Sequence, residues 1–322
     1  MLIEDIPAPQ PLDEESQRFL ALRREANLKD VYEGTVAEAR AGRTSWRTAF
    51  KKSSPEVAIV RETTLPRLAG DGPDIPARIY RDTESGLLPS TVFLHGGGWV
   101  LGGLDHSDAV CRWIAKLSGT AVINVDYRRA PETRFPGALD DSYSVTLWAS
   151  AGDDDFGLAP RTAVMGCSAG GNLAAAVALM ARDRRTPAIS AQVLVYPVVD
   201  TTQSTESFRT YSDGYIGSVR ESQWYWTQYL GESPVEITPY AAPSLASTLA
   251  GLPTALVMTA EYDQLRDEGE IYARRLAADG VDTELVRCPG SVHTFFTMPG
   301  VFPQSDIAIA RASAFLAKHL AA

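Results

Sequence analysis

From Thr91 onward, short continuous apolar runs alternate with helical stretches, and this alternation constrains the fold more than any other feature of the chain. The strands fall at Thr91-Val92-Phe93-Leu94, Thr120 to Val125, around Ala163, at Gln192-Val193-Leu194-Val195, at Ala255-Leu256-Val257-Met258 and at Thr283 to Arg287. Helical patterns occupy Asp105 to Leu117, about Pro136 to Ala149, Asn172 to Arg182, Glu268 to Ala278 and Gln304 to Leu320. Strands without polar alternation must be covered on both faces, so the pattern predicts a parallel sheet with helices on either side. Upstream, Val57-Ala58-Ile59-Val60 and Ile75 to Tyr80 flank a Gly/Pro/Asp turn, which predicts an antiparallel pair at the edge of that sheet.

Two regions break the pattern. Asp13 to Lys29 reads as an amphipathic helix with Phe19, Leu20, Leu22 and Ala26 on one side, and the polar, basic stretch Thr44 to Ser54 reads as a linker. Between Asp200 and Leu252 the alternation stops in a segment rich in Ser, Thr, Tyr and Trp, with an aromatic helix from Ser222 to Tyr229. That segment reads as an insertion between two core strands, and with the N-terminal helix it is expected to form a lid over one end of the sheet.

At 322 residues the chain can bury a large core. Its 30 Lys and Arg against 40 Asp and Glu give a formal charge of −10, which argues against nucleic acid or an anionic membrane as partner. Three scattered cysteines, Cys111, Cys167 and Cys288, build neither a disulfide framework nor a zinc site, and point to a reducing, cytoplasmic setting. No apolar run approaches the roughly 18 residues that span a bilayer. The acidic, proline-broken stretch Met1 to Glu15 is unlike a signal peptide.

Chemistry enters at Gly166-Cys167-Ser168-Ala169-Gly170, a Gly-x-Ser-x-Gly match between an apolar strand and a small-residue helix. A strand, a sharp turn and a helix lift a serine hydroxyl onto an exposed bend at a helix N-terminus. Serine needs a base, and the base needs an acid to orient it. Of four histidines, His293 follows the last strand, and Asp263 follows the strand before it. The order Ser168, Asp263, His293 is the α/β-hydrolase order. His95-Gly96-Gly97-Gly98-Trp99, directly after the Val92 strand, supplies what an oxyanion requires. The Gly97 and Gly98 N–H groups, with that of Ala169, would form the hole, while His95 braces the loop.

Taken together, these motifs resemble the hormone-sensitive-lipase-like branch of the α/β-hydrolases, bacterial carboxylesterases with an HGGG loop. Tyr127-Arg128-Arg129-Ala130-Pro131-Glu132, followed by Phe135-Pro136, resembles that family's signature, and Asp263-Gln264-Leu265-Arg266-Asp267-Glu268-Gly269 resembles its acid motif. The resemblance spans roughly residues 55 to 322. It implies an α/β-hydrolase fold: a mostly parallel eight-stranded sheet flanked by helices, with a helical cap. Residues 1–50 and 201–245 would form the cap, and 51–200 and 246–322 the core. The implied activity is hydrolysis of short- to medium-chain acyl esters through an acyl-enzyme, with no metal or organic cofactor. Two departures from the family pattern stand beside the site: Cys167 in place of Asp or Thr, and Thr294 in place of Gly.

Plainer readings apply to several residues. Glu261 and Asp267 neighbour Asp263, and any of the three would serve as a helix cap. Cys167 reads as a packing residue, because adjacent residues on an extended bend point to opposite sides. Trp99 and the cluster Trp224, Tyr225, Trp226 and Tyr229 either wall a substrate pocket or glue the cap to the core. Asp140-Asp141 near a helix start reads as structural, not as a metal site. The same triad would also serve an amidase or lactonase, and the fold also serves non-catalytic ligand receptors, although those typically lose a triad member. A small-molecule ester is the expected partner. Acyl length, alcohol group and oligomeric state, a homo-oligomer included, are left open.

Overall fold

The computed structural model describes residues 1–50, 54–232 and 236–321, except the side chain of Arg47. The chain begins with β1 (Leu2–Asp5), α1 (Glu14–Glu25) and α2 (Val36–Ala49), then the edge hairpin β2 (Ile59–Leu65) and β3 (Ile75–Arg81). The alternating part follows as β4 (Leu88–Leu94), α3 (Leu104–Ser118), β5 (Ala121–Val125), α4 (Gly137–Ala151), β6 (Leu158–Cys167), α5 (Ala169–Arg184) and β7 (Ala191–Val195). The insertion carries α6 (Glu206–Tyr211) and α7 (Val219–Leu230), and the chain closes with β8 (Thr254–Tyr262), α8 (Arg266–Ala278), β9 (Thr283–Val292) and α9 (Pro303–Leu320).

One nine-stranded sheet runs in the order β1-β9-β8-β7-β6-β4-β5-β3-β2. Every pairing is parallel except the two made by β3, which runs against both β2 and β5. The expected strand count of eight falls one short because Leu2–Asp5 pairs in parallel with Thr283–Val286 of β9. Four residues, three of them exposed, carry no strand pattern of their own; a neighbouring edge recruits them.

Strand alternation divides the core into two layers. Val92 and Leu94 of β4 face a layer built with Val145 of α4, Leu173 of α5 and Tyr272 of α8. Phe93 points the other way, into a layer with Ile114 of α3, Phe315 of α9 and Phe19 of α1. Helix α5 is rich in alanine and glycine because it is buried from Ala169 through Ala181, where larger side chains would push it off β4, β6 and β7.

The stretch expected as a linker is mostly helix. Thr44–Ala49 completes α2, and residues 51–53 lie outside the described part. Its apolar positions, Val36, Ala39, Trp46 and Phe50, are partly buried against the core, but the basic and hydroxyl residues between them hide that stripe in the sequence. Helix α1 starts as expected, with the Asp13 carboxylate accepting the Ser16 N–H at 2.6 Å, and ends at Glu25, short of Lys29.

The strand order explains where a site forms. The chain runs from β4 outward to β5 and then back across to β6, so the loops after β4 and β6 diverge over adjacent carboxyl ends, where Leu94 pairs with Gly166. Such a switch point is the natural ligand crevice of an open α/β sheet.

Candidate active site

Ser168 caps β6 at φ 57° and ψ −121°, a left-handed conformation that a non-glycine residue holds only under constraint. The Val195 carbonyl accepts its N–H at 2.9 Å, and its own carbonyl accepts the Asn172 N–H at 3.0 Å. The flanking glycines are steric necessities. A Cβ on Gly166 would overlap the Gly170 carbonyl, and one on Gly170 would overlap the Leu94 carbonyl.

His293 Nε2 lies 3.1 Å from Ser168 Oγ, and His293 Nδ1 lies 2.6 Å from Asp263 Oδ2. A carboxylate only accepts, so Nδ1 carries the proton and Nε2 is left to accept from the serine hydroxyl. Asp263 is 1% exposed, and its other oxygen accepts the Leu265 N–H at 3.0 Å. The two neighbouring acids are engaged elsewhere. Glu261 accepts the N–H groups of Gln10 and Gly290, and Asp267 accepts the Ser207 N–H and pairs with Arg266. Tyr196, immediately after β7, sets its ring 4.6 Å from the His293 ring and completes the wall beside it.

The glycine loop lies directly on the serine turn. A Cβ on Gly96 would come within 2.9 Å of the Cys167 carbonyl and 3.4 Å of Ser168 Cβ. Gly97 and Gly98 have φ 124° and 59°, and a side chain on Gly98 would run into the Tyr225 ring. Ala169 opens α5, so its N–H has no intrahelical acceptor. His95 is 1% exposed; its Nδ1 donates to the Gly96 carbonyl at 2.9 Å, and its ring stacks on Tyr127 at 4.2 Å. Burial pushes its pKa down to about 3, so the ring is neutral at ordinary pH. The segment after β5 braces the same loop: Tyr127 donates to the His95 carbonyl at 2.7 Å, and Arg129 to that of Gly102.

A cavity of about 110 Å³ opens over the serine and is lined by Ser168, His293, Gly96 to Trp99 and side chains of α1, α2 and α7. Trp99 reaches it while stacked on Tyr229 at 4.3 Å, so it both walls the cavity and holds α7. Tyr225 also lines it. Trp224 does not: at 100° per residue, the face of α7 bearing Glu221, Ser222, Tyr225 and Trp226 turns it away, against Tyr225 and the Val100–Leu101 cluster. Sequence reasoning missed Glu221, Tyr196, Arg23 and Arg43. Only Tyr196 left a signal, as the first residue past a core strand at the same sheet end.

Cys167 is 1% exposed and packs in the layer of α3 and α9 while touching the cavity floor. Thr294 adopts φ 75°, which accounts for glycine being usual there. Asp141 is buried between Arg67 and Arg128, a structural placement. Among the described residues, no group of His, Cys, Asp and Glu is arranged to hold a metal ion, and no helix is long and apolar enough to cross a membrane.

The α/β-hydrolase fold family matches residues 91–297. The chain is 41% identical over 254 residues to the carboxylic ester hydrolase LipN of Mycobacterium tuberculosis, covering 76% of this chain and 66% of that protein. It is 35% identical to an arylesterase of Saccharolobus solfataricus, over 93% of this chain and 97% of the relative. The crystal structure of a thermostable esterase from Pseudomonas putida superposes with a TM-score of 0.91 at 34% identity, covering 98% of this chain and all of that one. The chain belongs to the α/β-hydrolase fold family, in its hormone-sensitive-lipase-like carboxylesterase group. It is a carboxylic ester hydrolase.

Proposed function

We propose that Ser168, His293 and Asp263 perform serine-type hydrolysis of short- to medium-chain acyl esters. The observation that carries this reading is the hydrogen-bonded chain from Ser168 Oγ through His293 to Asp263, set beneath a glycine loop. Ser168 attacks the ester carbonyl as His293 Nε2 takes its proton. Asp263 stabilises the imidazolium, and the N–H groups of Gly97, Gly98 and Ala169 receive the oxyanion. The proton passes to the leaving alcohol, and water activated by His293 releases the acid. No step calls on a metal or organic cofactor.

A cavity walled by Trp99, Tyr225 and Trp226 supports a modest acyl or aryl group, in keeping with the name of the arylesterase relative. We place the cap at the N-terminal segment after β1 up to residue 50 and at residues 201–245, with 233–235 outside the described part, and the core at 51–200 and 246–322 joined by β1. Three buried, unbridged cysteines support a reducing, cytoplasmic setting, and the charge of −10 disfavours nucleic-acid and anionic-membrane partners. The test is hydrolysis of nitrophenyl acetate through octanoate by the wild type and Ser168→Ala, with fluorophosphonate labelling. Loss of at least a thousandfold in kcat, together with loss of labelling, is expected; retention of most of the activity refutes the assignment.

A further inference from the structure

Each helix over the cavity turns one apolar stripe inward, and two of these stripes end in an arginine. On α1, Ser16, Phe19 and Leu20 are buried, and Arg23 follows one turn later at the cavity wall. On α2, Val36 and Ala39 pack against Val100 and Leu101, and Arg43 lies on the same face at the next turn, again at the wall. The placement of Arg43 is held from one turn back. Arg40 donates to the carbonyls of Val100 and Ala130 at 3.0 Å each, and grips Glu132 through two nitrogens at 2.8 and 2.7 Å.

The two arginines differ in what they meet. Arg23 donates to the Tyr215 carbonyl at 3.1 Å and faces Glu221 at 3.7 Å. Glu221 is the one carboxylate that α7 turns into the cavity, and it is 7% exposed. Arg43 makes neither an ion pair within 4.0 Å nor a hydrogen bond among the described residues, although its charge acts on Glu221 and Tyr225. Two guanidinium groups against one carboxylate leave the wall with a net positive charge. Burial raises the pKa of Glu221, so any protonation there makes the wall more positive still. A guanidinium presented at a cavity wall, with its planar fork unused among the described residues, matches a carboxylate.

We propose that the preferred substrates are esters that also carry a carboxylate, received by Arg43, while the Arg23–Glu221 pair bounds the space beside it. This rests on the esterase reading above. The carboxylate belongs either to the acyl part, as in half-esters of dicarboxylic acids, or to the alcohol part, as in O-acetylated hydroxy acids. Both present the same group to the same arginine.

The experiment compares kcat/KM by pH-stat for two series: monoethyl esters of succinate through adipate, and acetates of 3-hydroxypropionate through 5-hydroxypentanoate. Each member is paired with the neutral analogue in which a carboxamide replaces the free carboxylate. Wild-type enzyme should prefer the anionic member of at least one series, and the series that does so identifies which part carries the charge. Arg43→Gln should cut the anion-to-amide ratio about tenfold or more through KM, and Glu221→Gln should raise it. A wild-type ratio at or below one in both series overturns the proposal, as does an Arg43→Gln variant that keeps the ratio. Nitrophenyl butyrate separates the two readings: its hydrolysis by the wild type alongside a flat ratio sinks the carboxylate preference alone, whereas failure to hydrolyse it sinks the esterase assignment and this inference with it.

Discussion

Replacing Asp263 by Asn tests the site at its most buried point. The carboxylate is 1% exposed, accepts the Leu265 N–H through Oδ1 and faces His293 Nδ1 at 2.6 Å through Oδ2. Asparagine can keep the Leu265 bond with its carbonyl, but its NH₂ group then faces the imidazole. Two donors cannot share that bond, so the proton moves from Nδ1 to Nε2, and the nitrogen 3.1 Å from Ser168 Oγ becomes a donor that cannot take the serine proton. In a serine triad this tautomer costs about 10⁴-fold in kcat, or about 5.4 kcal/mol at 1.36 kcal/mol per tenfold. The assay is steady-state hydrolysis of nitrophenyl butyrate at pH 8, with a melting curve to show that the variant is folded. Glu261→Gln and Asp267→Asn serve as comparisons, since each carboxylate is engaged away from His293, and they should stay within about tenfold of wild type. An Asp263→Asn enzyme with more than a tenth of wild-type kcat, or a larger loss in either comparison variant, refutes this account of the acid.

Two further outcomes follow from the glycine loop and its brace. Gly98→Ala forces a side chain onto φ 59° and into the Tyr225 ring; it should displace the loop, lowering kcat by about 10² or more and stability by about 1–3 kcal/mol, and activity within twofold of wild type would refute the claim that this position must be glycine. His95 has its pKa lowered by burial from 6.5 to about 3, so below pH 6.5 the unfolded chain takes up the proton first and stability falls as pH drops toward 3. Its contribution is about 1.4 kcal/mol per pH unit in that window, and it is absent above it. Urea unfolding at pH 7 and 5 should show a shallower acid loss for His95→Gln than for wild type, whereas parallel losses would mean that this ring does not set the slope.

Much of the core was legible because its signals are local. A continuously apolar strand such as Thr91 to Leu94 admits few environments, and the glycines at 166 and 170 are demanded by backbone contacts within the turn they define. The same holds for Ser168, Asp263 and His293, each placed by the end of its own strand, so their order along the chain carried their meeting in space. The cap was less legible. The α2 stripe of Val36, Ala39, Trp46 and Phe50 is broken up by basic and hydroxyl residues, and β1 owes its existence to a partner edge at the far end of the chain. The two readings of Trp224 stayed open for a related reason: composition marks a helix as aromatic, but only its docking decides which aromatics face the cavity.

The sequence alone therefore determined the mostly parallel sheet short of β1, the serine turn and the identity of its partners, because short-range sterics and strand-end placement encode them. Only the tertiary structure decided which side chains of α1, α2 and α7 line the cavity. Those helices reach the cavity from segments nearly 200 residues apart, and no local pattern records that Arg23 will pair with Glu221 while Arg43 makes no ion pair or hydrogen bond among the described residues.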